Sequence, residues 1–440
     1  MQRLYDYRYV CMPESIDPEK YVIANYVVRA GRNADLVARA AGMGIEQTTG
    51  TWLDVAGETP ELIENHGAKV VSLFEVPDYT RDHHIPDADR YFVMRLAFPW
   101  DNFGPDFAQM LSAIPGNIAG SDCKVLDIEM PRSFVKDFKG PKFGLQGIRE
   151  ILGVYDRPLV NNMIKPCAGA APEDGAEYFY QAAVGGVDII KDDELMGADR
   201  PYSPLEKRVE MYMAAARRAE EETGEKTLFT VNITDRIDQL EDNAMRAINA
   251  GANAIMVNTF AVGLGAVRML AENPKINVPI LGHGTASAGF TDSPIHGISA
   301  ELYNGKFQRL AGCDLINDCV PYGKMPFSKE KYIRMFEMCM CDFYDIKQTM
   351  VNAVAGTNPG LIPQIMADLG ENIILGAGGA VHGHPMGARA GAMAMRQAID
   401  AVMAGIDLEE YAKEKPELAA AIDVWGIYGK GDNLFARVHD

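Results

Sequence analysis

The chain has 440 residues, 48% of them hydrophobic, and 61 Asp and Glu against 42 Lys and Arg, a formal net charge of −19. That length exceeds one small domain and the apolar share supplies a sizeable core, while the acidic balance argues against nucleic acid or an anionic membrane surface as partner, since either would repel it. Seven cysteines without a Cys-x-x-Cys pair indicate neither a disulfide framework nor a structural zinc site. No leader and no apolar run of membrane-spanning length is read, so the chain is expected to be cytoplasmic.

In chain order, residues 4–138 mix strands, such as 21–28 and 91–97, with a helix at 33–41. The mixture predicts an N-terminal α+β, ferredoxin-like domain. From about residue 151 the texture changes to β-rich runs, each followed by a helix: 159–165, 187–193, 228–233, 254–258, 278–283, 314–317, 351–355 and 373–376. Eight such units predict a (β/α)8 TIM barrel, whose active site forms at the carboxyl ends of the strands. The expected domains are therefore 1–145 and 146–440, with the stretch 408–440, charged and helical and then Gly-rich, as a peripheral cap or contact segment.

Chemistry-bearing residues fall at the ends of those runs. The second run, within Gly185-Gly186-Val187-Asp188-Ile189-Ile190-Lys191-Asp192-Asp193-Glu194, is a buried strand ending in one lysine and three acids. One cation cannot neutralise three anions, so an ion pair alone leaves surplus negative charge that a divalent metal would remove, and Mg²⁺ takes carboxylate oxygens while keeping open positions. Lys165 ends the first run and His283 the fifth, Gly323-Lys324 follows the sixth, and the eighth runs into Gly376-Ala377-Gly378-Gly379. A Gly-rich turn after the last strand presents backbone N–H groups to an anion. In the first domain, Glu46, Thr51 and Trp52 lie in one polar segment and Asn117 in a Gly-flanked turn.

The stretch 185–194 resembles the metal-binding strand of the RuBisCO superfamily, Gly-Gly-x-Asp-x-x-Lys-x-Asp-Glu, and further family motifs follow in the family's order over nearly the whole chain. The resemblance implies that Lys191 takes up CO₂ as a carbamate and ligates Mg²⁺ with Asp193 and Glu194, with Asp192 a neighbour. It makes Lys165 the proton-transfer lysine, its pKa lowered by desolvation or an adjacent metal. His283 then contacts substrate, Asn117 touches the metal-bound substrate, and Lys324 is the loop lysine that polarises CO₂ in carboxylation. Glu46, Thr51 and Trp52 reach across a homodimer interface, Glu46 toward the loop lysine and the other two toward a phosphate that Gly378 and Gly379 also hold. His384 occupies a packing His-Pro position, so no metal is expected at His382 and His384.

The departures from the family pattern are as telling. Cys167 replaces the second lysine of Ile-Lys-Pro-Lys, Gly284 an arginine, Asn317 a histidine, and Val354-Ala355-Gly356 offers no counterpart to a serine. The last three belong to the family's second-phosphate clamp, whose charge-assisted hydrogen bonds are worth about 1.5–3 kcal/mol each. The resemblance therefore implies a RuBisCO-like enzyme that forms an enediolate from a singly phosphorylated sugar or sugar acid. It would act as an isomerase or tautomerase, or as a decarboxylase of a 3-oxo-acid phosphate. Authentic ribulose-1,5-bisphosphate carboxylase is the alternative and a non-catalytic binding barrel a third. Diketo-phosphate enolases of the family carry a lysine where this chain has Asn117.

Overall fold

A computed structural model describes residues 7–51, 53, 55–325 and 327–430. Two compact units emerge, one of residues 1–138 with 286–303, the other of 139–285 with 304–440. The expectation put a single boundary near residue 145. Here the chain passes from the first unit at 138 and contributes 286–303 back to it.

The first unit is built on β1 (Tyr21–Ala30), β2 (Lys69–Val76), β3 (Arg90–Pro99) and β4 (Cys123–Glu129). Strict alternation makes β1 a central strand, with Val22, Ala24, Tyr26, Val28 and Ala30 turned to the core. Its antiparallel partners are β3, from Tyr21 opposite Pro99 to Ala30 opposite Arg90, and β4 on the other side. Helix Leu36–Glu46, capped by the Asp35 carboxylate, joins β1 to β2, and helix Phe107–Ala113, capped by Asp106, joins β3 to β4. Strand order β4-β1-β3-β2 with these connections is the ferredoxin-like arrangement expected. Two of its strands, β2 and β4, were not anticipated.

The second unit is a closed parallel barrel of β5 (Leu159–Met163), β6 (Ile189–Lys191), β7 (Leu228–Asn232), β8 (Ala254–Asn258), β9 (Ile280–His283), β11 (Leu315–Cys319), β12 (Met350–Val354) and β13 (Ile373–Ala377). The intervening β10 (Gly297–Ile298) pairs with β4 in the first unit's sheet. All eight predicted runs form barrel strands. The barrel floor is one apolar cluster with a side chain from every strand, including Leu159, Ile189, Leu228, Met256, Leu281, Leu315, Met350 and Ile374. Two residues further along, inward positions turn polar at Asn161, Lys191, Thr230, Asn317 and Asn352, all of them toward the strands' carboxyl ends. Among the described residues no helix is long and apolar enough to cross a membrane.

Candidate active site

At the carboxyl ends of the barrel strands lies a cavity of about 310 Å³, lined by Lys165, Lys191, Asp193, Glu194, His283 and Lys324 among others. Each arrives from a different strand end or turn except the triad, which β6 delivers together. The strand stops at Lys191, and the following turn is pinned by neighbouring strands. Asn232 Nδ2 donates to Asp193 O at 3.3 Å, and Asn258 Nδ2 to Glu194 O at 3.1 Å. Two Asn side chains at the tips of β7 and β8 thus aim both acids.

The charge expectation needs correcting. Asp192 points away from the cavity into a buried ion pair: Arg208 Nε lies 3.1 Å from its Oδ2, and both side chains are 2% exposed or less. Lys165 Nζ is 2.5 Å from Asp193 Oδ2, and Lys191 Nζ is 3.3 Å from Glu194 Oε2. Three carboxylates therefore face three cations, and the surplus read from the sequence is absent because two of the cations come from elsewhere in the chain.

Lys191 is 1% exposed. Burial lowers its pKa, although Glu194 and Asp193 oppose the shift, so the neutral amine that can attack CO₂ is favoured. Burial alone would raise the Glu194 carboxyl, but a hydrogen bond from His283, at 3.3 Å, and the Lys191 charge hold it well below the usual carboxylate range. Lys165 runs against expectation. Burial would lower its pKa, yet hydrogen bonds to Asp193 and to Cys167 Sγ, the latter at 2.9 Å, raise it.

Among the described residues no group of three or more His, Cys, Asp or Glu is disposed to hold a metal ion. Asp193 and Glu194 supply two oxygen-donating side chains, and a carbamate on the adjacent, amine-favouring Lys191 would supply the third. That all-oxygen set fits a hard cation such as Mg²⁺. His382 and His384 do other work: His382 Nε2 bonds Asn162 Oδ1, and His384 Nε2 holds Glu417 O, both at 2.9 Å.

Gly378 and Gly379 line the cavity where β13 turns into the short helix Gly379–His382. A Cβ on Gly378 would stand 3.2 Å from Lys165 Cε, so the missing side chain is what lets the lysine lie against the turn. On the other wall the ends of β11 and β12 contribute Asn317, Val354 and Ala355. Lys324 is exposed and its backbone N–H donates to Ala355 O at 2.8 Å, which folds its loop onto the turn after β12.

The remaining predicted residues belong to the first unit. Glu46 ends its helix exposed, Asn117 is exposed at the head of a 3-10 turn, and Thr51 is half-buried. Trp52 lies outside the described residues. Within this unit Gln47 Nε2 donates to Ala113 O at 2.6 Å, tying the segment after Glu46 to the turn that carries Asn117. Two residues were missed by sequence reasoning. Arg208 sits on helix Leu205–Thr223 with no motif to mark it. Trp425, from the tail read as a peripheral cap, lines the cavity; a lone indole closing an Ala-rich helix was the available signal.

The family model described as ribulose bisphosphate carboxylase large chain, catalytic domain, matches residues 144–425, and the one for the N-terminal domain matches 12–134. A ribulose bisphosphate carboxylase-like protein of Archaeoglobus fulgidus is 45% identical over 407 residues, 92% of either chain. A 2,3-diketo-5-methylthiopentyl-1-phosphate enolase of Geobacillus thermodenitrificans is 35% identical, over 92% of this chain and 98% of the other. Among solved structures, a rubisco-like protein (MtnW) from Alicyclobacillus acidocaldarius superposes with a TM-score of 0.84 at 35% identity, covering 92% of this chain and 99% of that one. The octameric Rubisco of Pyrococcus horikoshii gives 0.86 at 31% identity, covering 96% and 97%.

Proposed function

The chain belongs to the RuBisCO large-chain superfamily, as a RuBisCO-like member, and on that premise we propose that it enolises a singly phosphorylated sugar or sugar acid with the help of Mg²⁺. Lys191 as carbamate, Asp193 and Glu194 would hold the metal, which when bound supplies positive charge to the substrate oxygens on which negative charge develops. Carbamylation replaces one cation of a balanced cluster by an anion, a change of two charges that one divalent ion compensates.

The chain's own residues do the rest. Lys165 Nζ, beside Asp193 and Cys167, moves the proton at the substrate carbon next to the carbonyl. Engagement of Asp193 by a metal would leave Nζ free to face the cavity, with Cys167 Sγ as its remaining partner. His283 steadies Glu194 through Nε2. Gly378 and Gly379 give the phosphate backbone N–H donors, and Lys324 adds a cation at the rim. Glu46, Asn117, Thr51 and Trp52 complete the site from a second copy in a homodimer. Fold relatives include one described as a dimeric archaeal Rubisco. We assign the enzyme to the cytoplasm.

One observation carries the choice of substrate: Asn317, Val354 and Ala355 are all uncharged, so that Lys324, folded onto Ala355, is left without a second cation beside it on that wall among the described lining residues. A second phosphate there would forgo charge-assisted bonds of about 1.5–3 kcal/mol each. The named substrate of the 35% identical enolase also carries one phosphate. The product follows from where the proton returns, giving an isomerase or tautomerase, or from CO₂ loss, giving a decarboxylase. Carboxylation of ribulose bisphosphate is the second reading, favoured by Lys324 at the cavity.

The test is a panel of sugar phosphates scored for exchange of a C–H proton with solvent deuterium, with Mg²⁺ and bicarbonate present. Exchange in a monophosphate that ceases without Mg²⁺ supports the proposal. Turnover of the bisphosphate with every monophosphate inert would replace it by the carboxylase reading.

A further inference from the structure

Between the turns that follow β12 and β13, the cavity is lined by a residue from far along the chain. Trp425 is the last residue of helix Pro416–Trp425 and shares the cavity wall with Asn358 and Gly379. It is fixed from both sides. Gly426 is pressed against the turn after β12 so closely that a Cβ on Gly360 would meet Gly426 O at 1.9 Å, and Tyr428 N donates to Gly360 O at 3.1 Å. On the side of β13 the indole lies 6.2 Å from the His384 ring, and His384 Nε2 grips Glu417 O of the same helix.

A tryptophan N–H taken out of water normally has an acceptor. Trp100, by comparison, donates Nε1 to Glu19 O at 2.8 Å in an exposed hydrogen bond. Trp425 is half-buried at the cavity wall, and its Nε1 has no protein acceptor among the described residues. The turns after the seventh and eighth strands are where barrels commonly hold phosphate. An N–H donor between them, left without a protein partner, is complementary to an anionic oxygen.

We propose that Trp425 is a phosphate-binding residue, its Nε1–H donating to an oxygen of the substrate's phosphate beside the N–H groups of Gly378 and Gly379. The inference rests on the proposal that this cavity takes a monophosphate. An indole N–H neither ionises nor moves protons in catalysis, so the contribution is to binding: it lowers KM and leaves kcat alone.

The probe is inorganic phosphate, titrated by calorimetry into the full chain with Mg²⁺ and bicarbonate present. Trp425→Phe keeps an aromatic ring and removes the donor, and it should weaken phosphate about 10- to 100-fold, the loss of one charge-assisted hydrogen bond. Trp425→His restores a ring N–H and should recover part of that loss, with melting temperatures of the two variants alike. Binding by the Phe variant within twofold of wild type overturns the role of Trp425 and leaves the monophosphate reading standing. Equal weakening in the Phe and His variants also overturns it, since the ring would then serve packing only. Failure of the wild type to bind phosphate at all removes both this inference and the reading beneath it.

Discussion

Replacing Lys191 by Met removes the amine that would capture CO₂ and keeps an unbranched side chain of similar length. In the cluster Lys165, Lys191 and Arg208 face Asp192, Asp193 and Glu194, so carbamylation leaves two uncompensated negative charges, the complement of Mg²⁺. The Met variant is left with one, and it lacks the third oxygen donor. A ligand at about 100 times its Kd stabilises the folded state by about 2.7 kcal/mol. Wild type should therefore gain thermal stability from Mg²⁺ and bicarbonate together well beyond the gain from Mg²⁺ alone. Lys191→Met should show the same small Mg²⁺ effect with and without bicarbonate. The assay is a pair of thermal melts, backed by Mg²⁺ calorimetry, across the four combinations of protein and bicarbonate. A Met variant whose Mg²⁺ affinity still rises with bicarbonate would refute Lys191 as the CO₂ acceptor.

Arg208→Met strands the Asp192 carboxylate, 2% exposed, without its partner. It should cost about 3–5 kcal/mol in urea unfolding, and a loss under about 1 kcal/mol would mean that Asp192 finds another cation. Gly360→Ala puts a Cβ into Gly426 O, backbone against backbone, so the Trp425 segment must shift. Phosphate binding should fall about tenfold with the barrel's circular dichroism unchanged, and unaltered binding would show that the segment does not set the site. Burial, aided by Lys165, lowers the His382 pKa from 6.5 to about 4. The unfolded chain then binds the proton more readily, so stability is complete above pH 6.5 and is lost as pH falls toward about 4. Linkage puts that loss at no more than about 3 kcal/mol. His382→Gln should flatten this window in unfolding titrations, and an equally steep fall in the variant would assign the acid sensitivity elsewhere.

The barrel was legible because buried parallel strands read as short, largely apolar runs, here repeated eight times between helical stretches. Strand ends were less so. β6 stops at Lys191 and not at residue 193, since Asp193 and Glu194 turn out of the ladder to line the cavity. β2 and β4 escaped notice because each carries a lysine where alternation wants an apolar side chain. Lys69 and Lys124 are nearly fully buried, and their ammonium groups are met by backbone carbonyls: Arg8 O for Lys69, and Thr291 O and Ser293 O for Lys124. A sequence window cannot see carbonyls that lie tens of residues away. The same blindness hid Arg208. The triad itself was readable because β6 delivers all of it within four consecutive residues, whereas the Trp425 wall is assembled from three distant segments.

The return of residues 286–303 to the first unit sets a timetable for its birth. Its sheet has β10 alongside β4, and Lys124 takes both of its carbonyl acceptors named above from that late stretch. On the ribosome the unit stays incomplete from residue 138 until residue 303 has been made, a wait of roughly 8–33 s at ordinary synthesis rates. Throughout that interval the β4 border of the sheet lacks its β10 neighbour, and Lys124 lacks the Thr291 and Ser293 carbonyls.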